Sequence, residues 1–209
     1  MNSQIKTSIT VLKSNSEYKM KEKGSTFIGQ AFYAENEESA AAQLNEIRKK
    51  YYDATHNCYA YRLYGNKFKY SDDGEPNGTA GIRIFNAIEH FNIHNILVIV
   101  TRYYGGVKLG VGPLGKAYYQ TAFQLLQGSE KEEKVKFEKV KISYDYPFTK
   151  TAHKIISDFE GVIFNNSFDT RPYSECYVYP EIVKKLKETV INLSSGKAEL
   201  EESGIFLFR

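Results

Sequence analysis

Residues that could do chemistry concentrate in three short segments of the chain. These segments read THNC at 55–58, SDDGEP at 71–76 and TRYYGGVKLGVGPLG at 101–115. They bring together a histidine, carboxylates, an arginine, a lysine and several glycines, which are residue types that transfer protons, hold cations or bind anions. Segments that only build a hydrophobic core do not need them. The pattern therefore predicts one functional site shared by the three segments.

The first segment offers a candidate nucleophile and two hydrogen-bonding groups. Strand alternation places Cys58 on the same face as His56, and a thiolate nucleophile needs a neighbouring base. A buried, unreactive cysteine explains the same pattern. A metal site built on this pair would need two further ligands. We expect His56 and Asn57 to supply hydrogen bonds at the rim of a binding cleft.

The second segment holds three carboxylates within four residues: Asp72, Asp73 and Glu75. Turn formation explains the Asp-Gly and Glu-Pro pairs, but the carboxylates repel one another unless positive charge lies near. That charge could come from Arg102, from Lys108 or from a hard cation such as Mg²⁺. An internally salt-bridged cluster and a metal site both remain open.

The third segment suggests anion binding. Arg102 follows the apolar run Ile96–Val100, at the strand end where open α/β sheets collect ligands, and glycine amides then lead into a helix. Two nucleotide fingerprints match in part, yet Ala117 stands where the phosphate loop needs Ser or Thr. An anion or RNA-phosphate pocket and close backbone packing are the two interpretations. The candidate binding residues are His56, Asn57, Arg102, Tyr103, Tyr104, Gly105, Gly106, Lys108 and Lys116.

Periodicity predicts the elements that must position these residues. Strands are expected at 5–12, 18–23, 26–33, 56–64, 67–71 and 96–100, with helices after the cap Asn36, at 78–91 and at 114–126. The charged segment GSEKEEKVK at 128–136 predicts a boundary between domains 1–130 and 131–209. The second domain reads β-α-β-β-α-β, the ferredoxin-like order, so the fold class is α+β.

The amino-acid composition says more about the cellular compartment of this protein than about its function. Hydrophobic residues make up 42% of 209 residues, and the formal net charge is +3, far from that of a strongly basic nucleic-acid binder. Residues 1–130 carry 15 Lys and Arg against 12 Asp and Glu, so any RNA contact would use a local patch. The two cysteines show no zinc or disulfide spacing, and the N-terminal residues lack the apolar core of a secretory signal. We expect a cytoplasmic monomer with no membrane contact.

The stretches THNCYAYR, SDDGEPNGTAG and TRYYGGVKLGVGPLGKAY together resemble the IMPACT family, in its bacterial two-domain YigZ-like form. The resemblance covers residues 26–126 closely, with Tyr59, Asn77, Pro113 and Lys116 as departures. It implies an N-terminal α/β sandwich of the type shared by ribosomal proteins and elongation factor G. It also implies a ferredoxin-like C-terminal domain similar to the last domain of that factor. Eukaryotic relatives regulate translation by binding partner proteins.

These observations favour a non-enzymatic cytoplasmic protein that binds the ribosome, RNA or a translation-associated protein and needs no cofactor. Its site would be a polar, anion-binding cleft in the N-terminal domain. The alternative is a metal-dependent hydrolase that acts on a phosphorylated or nucleotide-like substrate. In that alternative Asp72, Asp73 and Glu75 would bind the metal or act as the base, and Arg102 would stabilise negative charge.

Overall fold

A computed structural model describes residues 7–209 as a mixed α+β protein with two β-sheets and five α-helices. The strands are β1 Ser8–Leu12, β2 Ser16–Glu22, β3 Ser25–Tyr33, β4 His56–Leu63, β5 Lys67–Ser71, β6 Ile96–Tyr103, β7 Lys131–Ser143, β8 Val162–Ser167, β9 Tyr173–Val178 and β10 Glu199–Phe208. The helices are α1 Glu37–Lys50, α2 Gly81–His90, α3 Val111–Gly128, α4 Thr149–Asp158 and α5 Val183–Leu193. The start of the predicted strand 5–12 lies outside the described residues.

The first sheet has the strand order β2-β3-β6-β4-β5, and every neighbouring pair is antiparallel. Strand β6 is central, and its residues from Ile96 to Arg102 are all buried. The unbroken apolar run predicts this position, because both faces of the strand are covered. The antiparallel arrangement differs from the open parallel sheet assumed for Arg102. The rule that ligands gather at the ends of parallel strands therefore does not apply here.

Helices cover both faces of this sheet. Helix α1 packs Ala40, Leu44 and Ile47 against one face, and α2 and α3 cover the other. The predicted cap of α1 is present: the Asn36 side chain accepts a hydrogen bond from the Ser39 amide at 2.8 Å. Glu37 and Glu38 occupy its first turn, where the helix dipole favours acidic side chains.

The second sheet has the strand order β10-β7-β9-β8, with β1 also pairing with β7. The neighbours β10–β7, β7–β9 and β9–β8 are antiparallel. Helices α4 and α5 pack Ile156, Leu186 and Val190 against Val140 and Ile142 of β7. The order of elements in the chain, β7-α4-β8-β9-α5-β10, is the one that the sequence predicts.

The chain divides into two compact units, Thr10–Glu133 and Lys134–Arg209, and the described residues before Thr10 belong to the second. The sequence assigned the first strand to the domain 1–130, but β1 joins the second sheet instead. Within the described residues, no helix is long and apolar enough to cross a membrane.

Candidate functional site

The centre of the predicted site is a buried ion pair. Arg102, near the end of β6, donates to Glu75 Oε1 at 2.6 Å, and the two side chains are only 6% and 4% exposed. A second donor of Arg102 lies 3.2 Å from Ser25 Oγ, and its guanidinium contacts the rings of Phe27 and Tyr104. The Arg102 side chain is therefore buried and is bonded to groups inside the protein. This differs from the expectation of a surface contact to phosphate.

Glu75 connects this ion pair to the candidate nucleophile. The Tyr118 hydroxyl donates to Glu75 Oε1 at 2.8 Å, and Cys58 Sγ lies 3.4 Å from that hydroxyl. Burial raises the pKa of the Cys58 thiol and also that of the Tyr118 phenol. His56 Nε2 is 3.7 Å from Glu75 Oε2, but its other ring nitrogen is bonded to the Asp73 carbonyl. Cys58 thus has the environment of an unreactive thiol rather than of a nucleophile.

Asp72 caps the start of α2. Its carboxylate accepts hydrogen bonds from the amides of Gly78, Ala80 and Gly81 at 2.8–3.0 Å. The N-cap residue Ala80 has no side-chain acceptor, so Asp72 satisfies amides that would otherwise lack one. Its charge also complements the positive end of the helix dipole.

Asp73 has a different pair of partners. Its carboxylate accepts from Arg48 of α1 at 2.8 Å and from the Asn57 amide at 2.7 Å. Each of the three clustered carboxylates therefore has its own donor within the protein. Within residues 7–209, no group of three or more His, Cys, Asp or Glu side chains is arranged to hold a metal ion. The internally salt-bridged interpretation of the cluster agrees with these contacts.

The glycine pair of the third segment is used partly for packing. A Cβ at Gly105 would lie 1.9 Å from the carbonyl carbon of Gly24, so only glycine fits there. The Gly105 amide donates to Ser25 Oγ at 3.2 Å, and the Tyr104 amide donates to Thr55 Oγ1 at 3.0 Å. The backbone-packing interpretation of Gly105 thus agrees with its surroundings, and its amide already has an acceptor.

The loop between β6 and α3 is the exposed part of the site. Tyr104, Val107, Lys108 and Val111 all face solvent, with Val107 54% and Val111 68% exposed. Gly106 and Gly110 adopt φ values of +85° and +86°, which glycine allows without strain. Helix α3 begins at Val111 and has no side-chain cap, and Pro113 is its third residue. Lys116 is exposed one turn further along.

Comparison with known proteins decides the family. A sequence profile of the Impact N-terminal domain matches residues 23–126. A relative in Thermus thermophilus, described as an IMPACT family member in the pol 5′ region, is 38% identical over 132 residues, 63% of this chain and 72% of that protein. The chain belongs to the IMPACT family. The Bacillus subtilis IMPACT family member YvyE is 28% identical over 180 residues, 85% of this chain and 83% of its own length.

The IMPACT-type fold also has a solved counterpart. A crystal structure described as that of a hypothetical protein superposes with a TM-score of 0.71 at 25% sequence identity. It covers 94% of this chain and 97% of the other chain. The match extends over both sheets, beyond the residues that the family profile covers.

In this IMPACT family chain, the structure separates the predicted residues into two sets. His56, Arg102 and the three carboxylates form the internal network, and Asn57 is buried, with its side chain accepting from Thr101 at 2.8 Å. Tyr104, Gly106, Lys108 and Lys116 are exposed. Tyr103 is partly buried, and its hydroxyl donates to Asp53, a hydrogen bond that raises its pKa to about 12.

Sequence reasoning missed three members of the network: Ser25, Arg48 and Tyr118. Tyr118 follows the helical core spacing, so its hydroxyl gave no separate signal. Arg48 resembled the ordinary basic end of a helix. Ser25 follows Gly24 in a tight turn, and the local sequence carries no sign of its contacts with Arg102 and Gly105, which lie far along the chain.

Proposed function

We propose that this IMPACT family chain is a non-enzymatic binding protein of the translation machinery. Its binding surface would be the exposed loop 104–112 together with the first turns of α3. The observation that supports this proposal is the contrast between the two sets of predicted residues. The residues of the internal network are bonded within the protein, whereas Tyr104, Val107, Lys108 and Val111 face solvent on a loop held at its base.

The exposed set combines features that suit a binding surface. Lys108 and Lys116 offer positive charge, and the uncapped start of α3 offers backbone amides. Val107 and Val111 add exposed apolar surface to the same loop. Packing of Gly105 on Gly24 fixes the first part of the loop, so a partner would meet a preformed surface.

The groups that an enzyme would require already have other partners. Asp72 holds the start of α2, Asp73 holds Arg48 and the Asn57 amide, and Glu75 holds Arg102. Releasing Glu75 for catalysis would leave the buried charge of Arg102 unpaired, and releasing Asp72 or Asp73 would leave backbone amides without their acceptor. This supports a binding role over the metal-dependent hydrolase.

The proposal extends to the domain layout. The order β10-β7-β9-β8 for a β-α-β-β-α-β unit is that of a ferredoxin-like domain, as expected for the last domain of elongation factor G. With an IMPACT-type domain before it, this layout supports a partner on the ribosome, an RNA or a translation-associated protein. The cytoplasm is the setting in which such a partner is found.

Co-sedimentation with purified ribosomes over a series of salt concentrations tests this function. The parent chain is compared with a Lys108→Glu, Lys116→Glu variant and with a Lys67→Glu, Lys69→Glu control on the exposed strand β5. We expect salt-sensitive binding that the first variant weakens by about tenfold or more and that the control retains. Binding that is absent at low salt, or that both variants lose equally, would contradict the proposed surface.

A further inference from the structure

Strand β2 is an open edge of the first sheet. Among the described residues its only strand partner is β3, and the two are joined by the tight turn Lys23-Gly24. Both turn residues have positive φ, 44° and 79°, which is typical of a two-residue type I′ hairpin. The closing pair Glu22–Ser25 is hydrogen-bonded in such a hairpin. Alternation along the strand then directs the backbone groups of Glu17, Lys19 and Lys21 away from β3.

A groove follows this edge under helix α3. Its volume is about 370 Å³, and strand β2 and the turn contribute Met20, Glu22 and Lys23. The helix contributes residues at three- and four-residue spacing, which lie on one face: Gly112, Pro113, Lys116, Ala117 and Gln120. An unpaired strand edge beside a helix is the geometry in which an extended peptide can add a strand and insert alternate side chains.

We propose that this edge and groove bind an extended acidic segment of a partner protein by strand addition to β2. The backbone of the segment would pair with the outward groups of Glu17, Lys19 and Lys21. Side chains on one of its faces would enter the groove over Met20 and Ala117. The inference rests on the proposed function, since it names the kind of partner and the way in which it is held.

Charge indicates an acidic segment. Lys19 and Lys21 are exposed on β2, and Lys23 and Lys116 line the groove. Of the two nearby acids, Glu17 already accepts a hydrogen bond from Gln30 at 3.0 Å, which leaves Glu22 to face the groove. The net charge of the edge and groove is therefore positive. Glutamates on the added strand would lie beside Lys19 and Lys21 on the same face of the sheet.

The same charges disfavour a second copy of this chain as the occupant. Antiparallel pairing of two β2 strands in the register centred on Met20 would bring Lys19 opposite Lys21 of the other copy, and like charges directly opposite are destabilising. Among the described residues that line the groove, none carries an aromatic ring on which a nucleic-acid base could stack, and Met20, Pro113 and Ala117 supply the apolar lining. A peptide fits this chemistry better than RNA does.

Three labelled seven-residue peptides with alternating valine and glutamate and with blocked ends test the proposal by fluorescence anisotropy. One is unmodified, one is N-methylated at each glutamate and one is N-methylated at each inner valine. When a peptide adds to the sheet as a strand, either its glutamate amides or its valine amides face β2, but not both. We therefore expect one methylated peptide to bind about tenfold or more weakly and the other to bind within about threefold of the unmodified peptide.

A matched pair of protein variants tests the same edge from the other side. Lys19→Pro removes an outward amide without removing a bond to β3, whereas Lys19→Gln removes the charge and keeps the amide. We expect about tenfold weaker binding for the proline variant and a change of less than about threefold for the glutamine variant. Circular dichroism confirms that both variants are folded, and the methylated peptides give the answer on the parent chain if the proline variant is not.

Three results would overturn the strand-addition site. They are equal binding of the two methylated peptides, undiminished binding by a folded Lys19→Pro variant, and displacement of the peptide by a short single-stranded RNA that binds more tightly. Ribosome co-sedimentation of Lys19→Pro separates the two proposals. Ribosome binding that persists when the unmodified peptide fails to bind would remove the groove and leave the proposed function standing.

Discussion

At the scale of single residues, Arg102 resembles a ligand-binding arginine in the sequence but forms a structural ion pair with Glu75 in the fold. Arg102 and Glu75 are shielded from solvent, the Tyr118 hydroxyl donates to Glu75, and Ser25 accepts from Arg102. A buried pair of this kind adds little net stability over apolar residues of the same shape. The loss of one partner is costly, because the other charge remains buried without compensation.

Glu75→Leu should therefore destabilise the protein by about 3–5 kcal/mol, because it leaves the buried charge of Arg102 without a partner. The double variant Glu75→Leu, Arg102→Met should recover much of that loss, since neither charge remains. Urea unfolding monitored by circular dichroism measures both. An exposed pair provides the control: Arg171→Ala, which removes the partner of Glu199, should cost less than about 1 kcal/mol. Equal losses for Glu75→Leu and Arg171→Ala would contradict a buried network.

The two cysteines should be unreactive in the folded protein. Burial raises the pKa of the Cys58 thiol and raises that of Cys176 to about 12, so neither is a thiolate near neutral pH. Titration with a colorimetric disulfide reagent at pH 8 should detect almost no thiol in the native chain and two thiols in denaturant. Rapid reaction of one native thiol would instead restore Cys58 as a candidate nucleophile.

At the scale of elements, the contact between Gly24 and Gly105 fixes the start of the exposed loop. The hairpin turn of β2–β3 and the end of β6 approach so closely that neither glycine has space for a side chain. Ser25 then bonds to both Arg102 and the Gly105 amide. The loop is thus anchored at one end by packing and at the other by the first turn of α3.

Gly105→Ala should cost about 2 kcal/mol or more, because its Cβ would overlap the Gly24 backbone and force the two turns apart. Gly112→Ala is the matched control, since no neighbouring group lies within 4 Å of the position that its Cβ would take and its φ is not positive. That control should be neutral or stabilising by less than about 1 kcal/mol. Thermal unfolding of the two variants makes the comparison, and similar melting temperatures would argue against the close approach.

Local patterns predicted most of the elements, because strand alternation and helical spacing are properties of neighbouring residues. The Asn36 cap, the hairpin of β4 and β5 and the burial of β6 all follow from such patterns. The neighbours of β6 in the sheet cannot be predicted from such patterns, because its antiparallel pairing with β3 and β4 is set by contacts between distant segments. The same limit explains the site: Arg102 has the same sequence signature whether it faces a ligand or Glu75.

At the scale of the whole molecule, two sheets with separate hydrophobic cores contain several buried titratable groups. Burial is the largest cause of the raised pKa values of Cys58, Tyr61, Tyr118 and Cys176, and those of Tyr61 and Cys176 rise to about 12. All four are therefore favoured in the neutral form by the folded state. The unfolded chain has no such preference, so it loses these protons at lower pH.

The free energy of unfolding should therefore be insensitive to these groups at neutral pH and should fall as the pH rises from about 9 towards 12. Urea unfolding at a series of pH values measures the slope. Tyr61→Phe removes one titrating group, together with the hydrogen bond to Glu37, and should give a shallower slope in that window. An unchanged slope would show that Tyr61 does not couple to folding.

The position of β6 has a consequence for how the chain folds during its synthesis. This strand lies third in its sheet, yet it is the last of the five in the sequence. Ribosomes add about 5–20 residues per second, so the 25 positions from Ser71 to Ile96 take about 1–5 s. During that interval the emerging chain holds two hairpins whose inner edges, β3 and β4, have no partner. The central strand β6 then completes the sheet by inserting between them.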